Sequence, residues 1–422
     1  MKTRKSFIAF IKDKKKQILF SVVLSSVLLI INYIIANLPI PLGGEKALLR
    51  KIEFPNKVLG RSDDGFLDTM LFVNVTYDKV INSNPITDER GDVVGRIPIV
   101  DRKKLLEFLK YLNEKDDYKY ILLDVFFGLE AGRTEWDEEL FSTILSMDRI
   151  VIPKHIGRHI AFDSLLTKAG VADYCENYFF NGFSKYPFII DGETSLPLKM
   201  YQEIKGQKIK DHGFFYTEGC RLVKRCDVLT MDVLANSAYS KGGKKIWYNL
   251  GMDLLADTIV FKKPNCTDDI VLSGKNSLYS EPELTRDKYI VIGSFNGDDN
   301  HATYKGTVSG AVINYNAFRT LMKGGHIIHP CFVGALFLLY FLLSLYCLNI
   351  DSIKNKKTKS THKWIRVICS VMIWFSSWFG LAMVLTLFCA LNYLLFGRTH
   401  EVLFTACVFS LLSKCQIKKL KT

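Results

Sequence analysis

Apolar and polar positions follow three rhythms along the chain, and each predicts a different element. Ile18 to Leu38 (ILFSVVLSSVLLIINYIIANL) runs for 21 residues with Tyr33 as its sole ionisable side chain. About 20 apolar residues span ~30 Å of hydrocarbon, so this run predicts a membrane helix. Cys331–Leu348 and Val367–Leu391 are comparable runs, and Val402–Ser413 is a shorter one of 12 residues. The pattern predicts four transmembrane helices, at 18–38, 331–349, 367–391 and 402–413.

Between the first two runs, residues 39–330 change rhythm. Met70–Val75 is a short apolar, β-rich run, and Tyr120–Phe127 is a continuous apolar strand broken by one carboxylate, Asp124. Continuous apolarity suits parallel strands covered on both faces. Arg149–Pro153 and Tyr289–Gly293 read as further strands. The third rhythm is helical: after Asp101, a fitting N-cap, Leu105, Leu106, Phe108, Leu109 and Leu112 share one stripe. Thr134-Glu135-Trp136-Asp137 has the form of a capping box before Leu140, Phe141, Ile144 and Leu145. Leu196–Ile204 and Ser309–Met322 are spaced as helices, and Asp191-Gly192-Glu193 reads as a turn. Alternation of this kind predicts an α/β domain with a mainly parallel sheet between helices.

Charge fixes the orientation expected of these parts. The formal net charge is +13, but it is concentrated in residues 1–17, 350–366 and 414–422, which leaves the rest of the chain close to neutral. That distribution removes the case for a nucleic-acid groove. Short Lys/Arg-rich segments stay cytoplasmic, so 1–17, the loop 350–366 and the tail 414–422 are expected inside, and 39–330 and the turn 392–401 outside. The first apolar run exceeds the 7–15 residues of a cleaved signal core, and an uncleaved anchor in the cytoplasmic membrane is expected.

Open parallel sheets bind ligands beyond the carboxyl ends of their strands. Those ends are Asn74–Thr76, Asp124 and the polar loop after Gly293, where Asp298, Asp299 and His301 lie. Asp124, Asp298, Asp299 and His301 are therefore the candidate ligand-binding residues, set against local capping and turn roles for the same side chains. No P-loop, His-Glu-x-x-His, Cys-x-x-Cys or Gly-x-Ser-x-Gly occurs, and no catalytic residue, cofactor or metal is called for. Cys175, Cys220, Cys226 and Cys266 fall in the outer segment, where an oxidising compartment permits disulfides. Cys220 with Cys226 and Cys175 with Cys266 is the locally closest pairing, with free thiols as the alternative. Asn74-Val75-Thr76 and Asn265-Cys266-Thr267 have the form of glycosylation sequons.

Two stretches carry a family resemblance. One is Ile97-Pro98-Ile99-Val100-Asp101-Arg102 leading through the Leu-rich helix to Ile121–Phe127. The other is Lys288–Gly293 followed by Asp298, His301, Thr303, Gly306, Gly310 and Asn316-Ala317. Together with one span, an ectodomain and then several spans, the chain resembles the second type of CHASE domain, the extracytoplasmic sensory module of bacterial cyclases and kinases. The chain departs from it in ending the first strand with Asn74-Val75-Thr76, where acidic residues are usual, and in placing Asn314 where a His is usual. The resemblance implies a bacterial sensor, and a homo-oligomer. No output domain follows Ser413 in these 422 residues, so the expected function is reception of an extracytoplasmic signal and its relay to a separate protein partner, with membrane lipid around the spans. A membrane-anchored envelope assembly protein with a protein-binding ectodomain is the alternative. An extracytoplasmic hydrolase using Asp124, Asp298 and His301 is a third reading and lacks a nucleophile.

Overall fold

The computed structural model describes residues 15–39, 66–82, 86–87, 90, 93–95, 98–173, 185–229, 247–255, 258–261, 270–273, 283–295, 299–303, 306–396, 400 and 402–414. The chain divides into two compact units. One comprises Phe54–Lys208 and Val228–Gly324, the other Met1–Glu53, Ile209–Asp227 and Gly325–Thr422. Helices are labelled in chain order α1 (Lys15–Ala36), α2 (Arg102–Lys115), α3 (Asp137–Ser146), α4 (Leu196–Lys205), α5 (Gly310–Met322), α6 (Pro330–Leu348), α7 (Ile350–Lys359), α8 (Lys363–Phe375), α9 (Trp378–Phe396) and α10 (Leu403–Lys414). The strands used below are β1 (Met70–Asn74), β2 (Tyr120–Leu123), β3 (Ile150–Lys154), β4 (Ala169–Val171), β5 (Ile209–Asp211), β6 (Tyr216–Glu218), β7 (Arg221–Val223), β8 (Trp247–Asn249), β9 (Tyr289–Gly293), β10 (Asn300–Thr303) and β11 (Gly306–Ser309).

In the α/β unit six strands form one sheet in the order β8-β1-β9-β2-β3-β4, and all its pairings are parallel. β1 and β2 bury every residue, as the unbroken apolar runs require. One face carries Leu71, Val73, Ile121, Leu123, Ile290 and Ile292, packed with Leu105, Leu109 and Leu112 of α2 and Leu140 and Ile144 of α3. On the other, Phe72 meets Tyr315 of α5 edge-on at 5.0 Å, and α4 packs against α5. Asp101 caps α2 as its position suggests, accepting from Lys103 N and Lys104 N at 3.1 and 3.2 Å. At α3 the carboxylate of Asp137 reaches back to Thr134 N and Oγ1 at 3.2 and 2.8 Å, so the acidic end of the expected box makes the contacts. Asp191 and Gly192 turn with φ of 49° and 82° between paired Ile189–Ile190 and Glu193–Thr194. β9, the last in sequence of the six strands of this sheet, inserts between β1 and β2, so these three adjacent strands place their carboxyl ends side by side.

Among its described residues the other unit contains three helices long and apolar enough to cross a membrane, α1, α6 and α9, and a shorter apolar helix, α10. Its polarity is inverted relative to a water-soluble bundle. Leu19 and Ile30 of α1 are 63% and 60% exposed, while Ser21, Ser25, Leu28 and Asn32 face inward at helical spacing. Ser344 Oγ donates to Ser21 Oγ at 2.9 Å, and Asn32 Nδ2 reaches Thr405 Oγ1 at 3.5 Å. Small and polar residues inside with apolar ones outside are what helix association in lipid requires.

The third apolar run corrects its expected placement. It is two helices rather than one span over 367–391, because Ser376 and Ser377 interrupt it. Ser376 Oγ donates to Ile373 O at 2.7 Å, and Ser377 Oγ accepts from Gly380 N at 3.2 Å. Serine hydroxyls compete with the helical ladder in this way. The membrane-length helix is α9, and α8 is a separate element. The tight turn depends on Gly380, where a Cβ would stand 2.5 Å from Phe375 Cα and 2.6 Å from Trp374 O. Gly380→Val is expected to lower stability by about 1–3 kcal/mol, read as a lower apparent melting temperature in detergent. Gly334→Ala, with nothing within 4 Å of the added carbon, serves as the neutral control.

A three-stranded antiparallel sheet, β5-β6-β7, completes this unit. Tyr33 in the last turn of α1 ties it down, accepting from Tyr216 N and donating to Val223 O, both at 3.0 Å. Arg225 N donates to Asn37 Oδ1 at 2.6 Å. β7 also pairs with the segment that starts α6: Lys224 N donates to His326 O and Ile328 N to Leu222 O, each at 2.9 Å. The same sheet therefore bonds the end of α1 and the approach to α6. Cys220 is exposed and Cys226 is buried with its thiol donating to Asn37 O at 3.3 Å. The Cys220–Cys226 bridge allowed by their spacing is not formed, because the Cys226 thiol is turned to Asn37. Cys175 and Cys266 lie outside the described residues.

Candidate functional site at the carboxyl edge of the sheet

The carboxyl ends of β1, β9 and β2 present Asn74, Gly293 and Asp124. Where the strand order changes, an open α/β sheet leaves a crevice for ligands. Asp124 N donates to Ile292 O at 2.7 Å, which holds the residue as an extension of β2. Gly293 lets the strands and α5 close around it: a Cβ there would stand 2.7 Å from Ala311 Cβ and 3.2 Å from Asp124 Cβ.

Asp124 is deep but keeps partial solvent access. Its Oδ2 accepts from Asn314 Nδ2 of α5 at 3.1 Å, and Asn314 Oδ1 accepts from Tyr186 OH at 2.8 Å. Loss of water pushes the Asp124 carboxyl up to about 7, the nearby Asp299 charge adds to the rise, and the Asn314 bond and His301 oppose it. Burial likewise pushes Tyr186 well above the ordinary tyrosine range, so its hydroxyl stays a donor. Asp299 and His301 of the candidate set do come together, with His301 Nε2 2.8 Å from Asp299 Oδ1. Gly310 N donates to Asp299 O at 2.9 Å, which couples this loop to the start of α5. Asp298 lies outside the described residues.

Asn74 and Thr76, also expected at the strand ends, have a structural task. Asn74 Oδ1 accepts from Thr76 Oγ1 at 2.6 Å and from Phe295 N at 3.1 Å, and Asn74 Nδ2 donates to Asn249 Oδ1 at 2.9 Å. This network stitches β1, β8 and the exit of β9. Asn74 is fully buried, so the folded unit presents no glycan acceptor there.

Sequence reasoning missed the other half of the edge. His155 follows β3 and Asp173 follows β4, and their Nδ1 and Oδ1 meet at 2.8 Å. Asp173 Oδ2 also accepts from Ile156 N at 2.6 Å. The charges of both Asp124 and Asp173 add to the rise at Tyr186. Polar residues directly after two apolar strands were the available signal. Among the described residues no three His, Cys, Asp or Glu side chains cluster as metal ligands. The edge thus combines a carboxyl that titrates near neutrality, held from behind by the buried Asn314 amide and Tyr186 hydroxyl, with two His–Asp pairs.

No protein-family model matches the chain, and no curated protein and no solved structure matches it. The molecule is an α/β unit built on a mainly parallel six-stranded sheet, in a chain that also carries three helices of membrane-crossing length and composition.

Proposed function

We propose that the chain is an integral membrane sensor whose α/β unit binds an extracytoplasmic signal at the Asp124 edge and relays it through its membrane helices to a separate protein partner. One observation carries this reading: Asp124 is held by Asn314 of α5, and α5 ends at Met322, four residues before His326, which with Ile328 is hydrogen-bonded to the end of β7 just ahead of α6. The second helix on that face, α4, likewise ends at Lys205, four residues before β5. Both helices flanking the candidate site therefore lead by short stretches of chain into the small sheet tied to α1 and α6. A ligand shifts such a path only through different affinity for its two arrangements. The resemblance to the second type of CHASE domain supports the same reading, as does the positive-inside placement of the basic segments. Both termini are then inside the cytoplasmic membrane, the α/β unit is outside, and the protein functions as a homo-oligomer.

The test is purification of tagged full-length protein in mild detergent after cross-linking in its native host, followed by mass spectrometry. Recovery of a kinase, cyclase or response regulator is expected. Recovery of envelope proteins alone, cross-linked through the α/β unit, would replace this reading with an assembly role.

A further inference from the structure

Helix α8 (KWIRVICSVMIWF) has three faces, and one of them has no place in water. Ile365, Cys369 and Ile373 recur every four residues, and Cys369 is the buried one. Lys363, Arg366 and Ser370 form a second stripe. On the third, Trp364, Ile368 and Trp374 are 79%, 57% and 50% exposed, with Val367 and Val371 exposed beside them. A stripe of large apolar groups ending in tryptophans at both ends of the helix is the composition of a membrane interface.

Length and anchoring indicate how that face is used. Thirteen residues reach about 20 Å, too short to cross ~30 Å of hydrocarbon. The end of α8 is held where two apolar helices finish: Tyr346 OH, near the end of α6, donates to Met372 O. Ser413 Oγ, near the end of α10, donates to Ser376 O at 3.2 Å. α8 therefore belongs at the boundary of the bundle rather than inside it. Directly before it, α7 carries Lys354, Lys356, Lys357 and Lys359 against Asp351, with Lys363 and Arg366 following on α8.

We infer that α8 lies in the plane of the membrane interface with its Trp364–Trp374 stripe in the acyl boundary, and that α7 and the start of α8 bind the headgroups of anionic phospholipid. The occupant is lipid because the helix that bears the apolar stripe is bonded at its end to the ends of α6 and α10 and the flanking charge is basic. Clusters of basic residues beside apolar segments gather anionic lipid in this way. This inference is independent of what the Asp124 edge binds.

Full-length protein in nanodiscs tests both halves. With phosphatidylcholine brominated on its chains, tryptophan emission is expected to be quenched, and W364F/W374F to lose a large part of that quenching. Equal quenching in the two proteins would place α8 off the membrane. Tryptic cleavage after Lys356, Lys357 and Lys359 is expected to slow roughly tenfold when phosphatidylglycerol replaces a third of the phosphatidylcholine. Equal rates in both compositions would refute headgroup binding. Protection that follows protein concentration instead of lipid charge would assign the surface to a second copy of the chain.

Discussion

Asp124→Asn should make the protein more stable at pH 8 than the unaltered chain, and the gain should vanish toward pH 4. The folded carboxyl titrates at about 7, against an ordinary value of 3.8. Below 3.8 both folded and unfolded states hold the proton, and no penalty exists. As pH rises through the window from about 4 to 7 the unfolded chain releases its proton first, so stability falls with pH until the folded group also ionises. Three units correspond to about 4 kcal/mol, and partial solvent access lowers this to roughly 2–4 kcal/mol. An amide cannot ionise, so Asp124→Asn should flatten the slope over that window. Apparent melting temperatures of the two proteins at half-unit pH intervals in one detergent read the difference directly. Parallel curves would mean that Asp124 is solvated like a surface carboxylate. Asp299 just before β10, His301 in β10, Asn314 from α5 and Tyr186 bear on the group, and all are unchanged in this comparison.

Gly293→Val should act in the opposite direction and destabilise the protein. The added Cβ would sit 2.7 Å from Ala311 Cβ, inside van der Waals contact with a residue of α5. Backbone conformation is not the obstacle, since Gly293 is not among the glycines with positive φ; the obstacle is space. Overpacking of this kind costs about 1–3 kcal/mol. Because α5 is displaced where it meets Asp124, the Asn314–Asp124 bond at 3.1 Å should also be lost. The variant should therefore combine a lower melting temperature with a changed Asp124 titration, followed through the carboxyl stretch in an infrared difference spectrum. A lower melting temperature with an unchanged titration would mean that the strain is absorbed elsewhere.

What could be read from the sequence followed from how strongly each segment is constrained. β1, β2, β3 and β9 were legible because burial on both faces leaves little room for polar side chains, and Asp124, just past the end of β2, stood out as the candidate. Asp101 and Asp191-Gly192 were legible because capping and turn geometry need particular residue types. The partners of Asp124 were harder. Asn314 drew notice only as a departure from the resemblance, and Tyr186 follows from tertiary placement that no local pattern encodes. The break at Ser376-Ser377 was overlooked because serine is tolerated in apolar helices, and only the turn at Gly380 reveals that it ends one. The sheet of 209–227 reads as an ordinary polar stretch, and its bonds to Tyr33 and Asn37 join residues almost 190 positions apart.

The coupling of the Asp124 edge to the membrane helices is tested most directly by hydrogen exchange on full-length protein and Asp124→Asn, both in nanodiscs at pH 7.5. If the edge communicates through α4 and α5, exchange should change severalfold in peptides covering 209–227 and 325–329 as well as around 120–128 and 299–314. Changes confined to the neighbourhood of Asp124, with 209–227 and 325–329 untouched, would contradict the relay and leave a binding domain that signals nothing to the bundle.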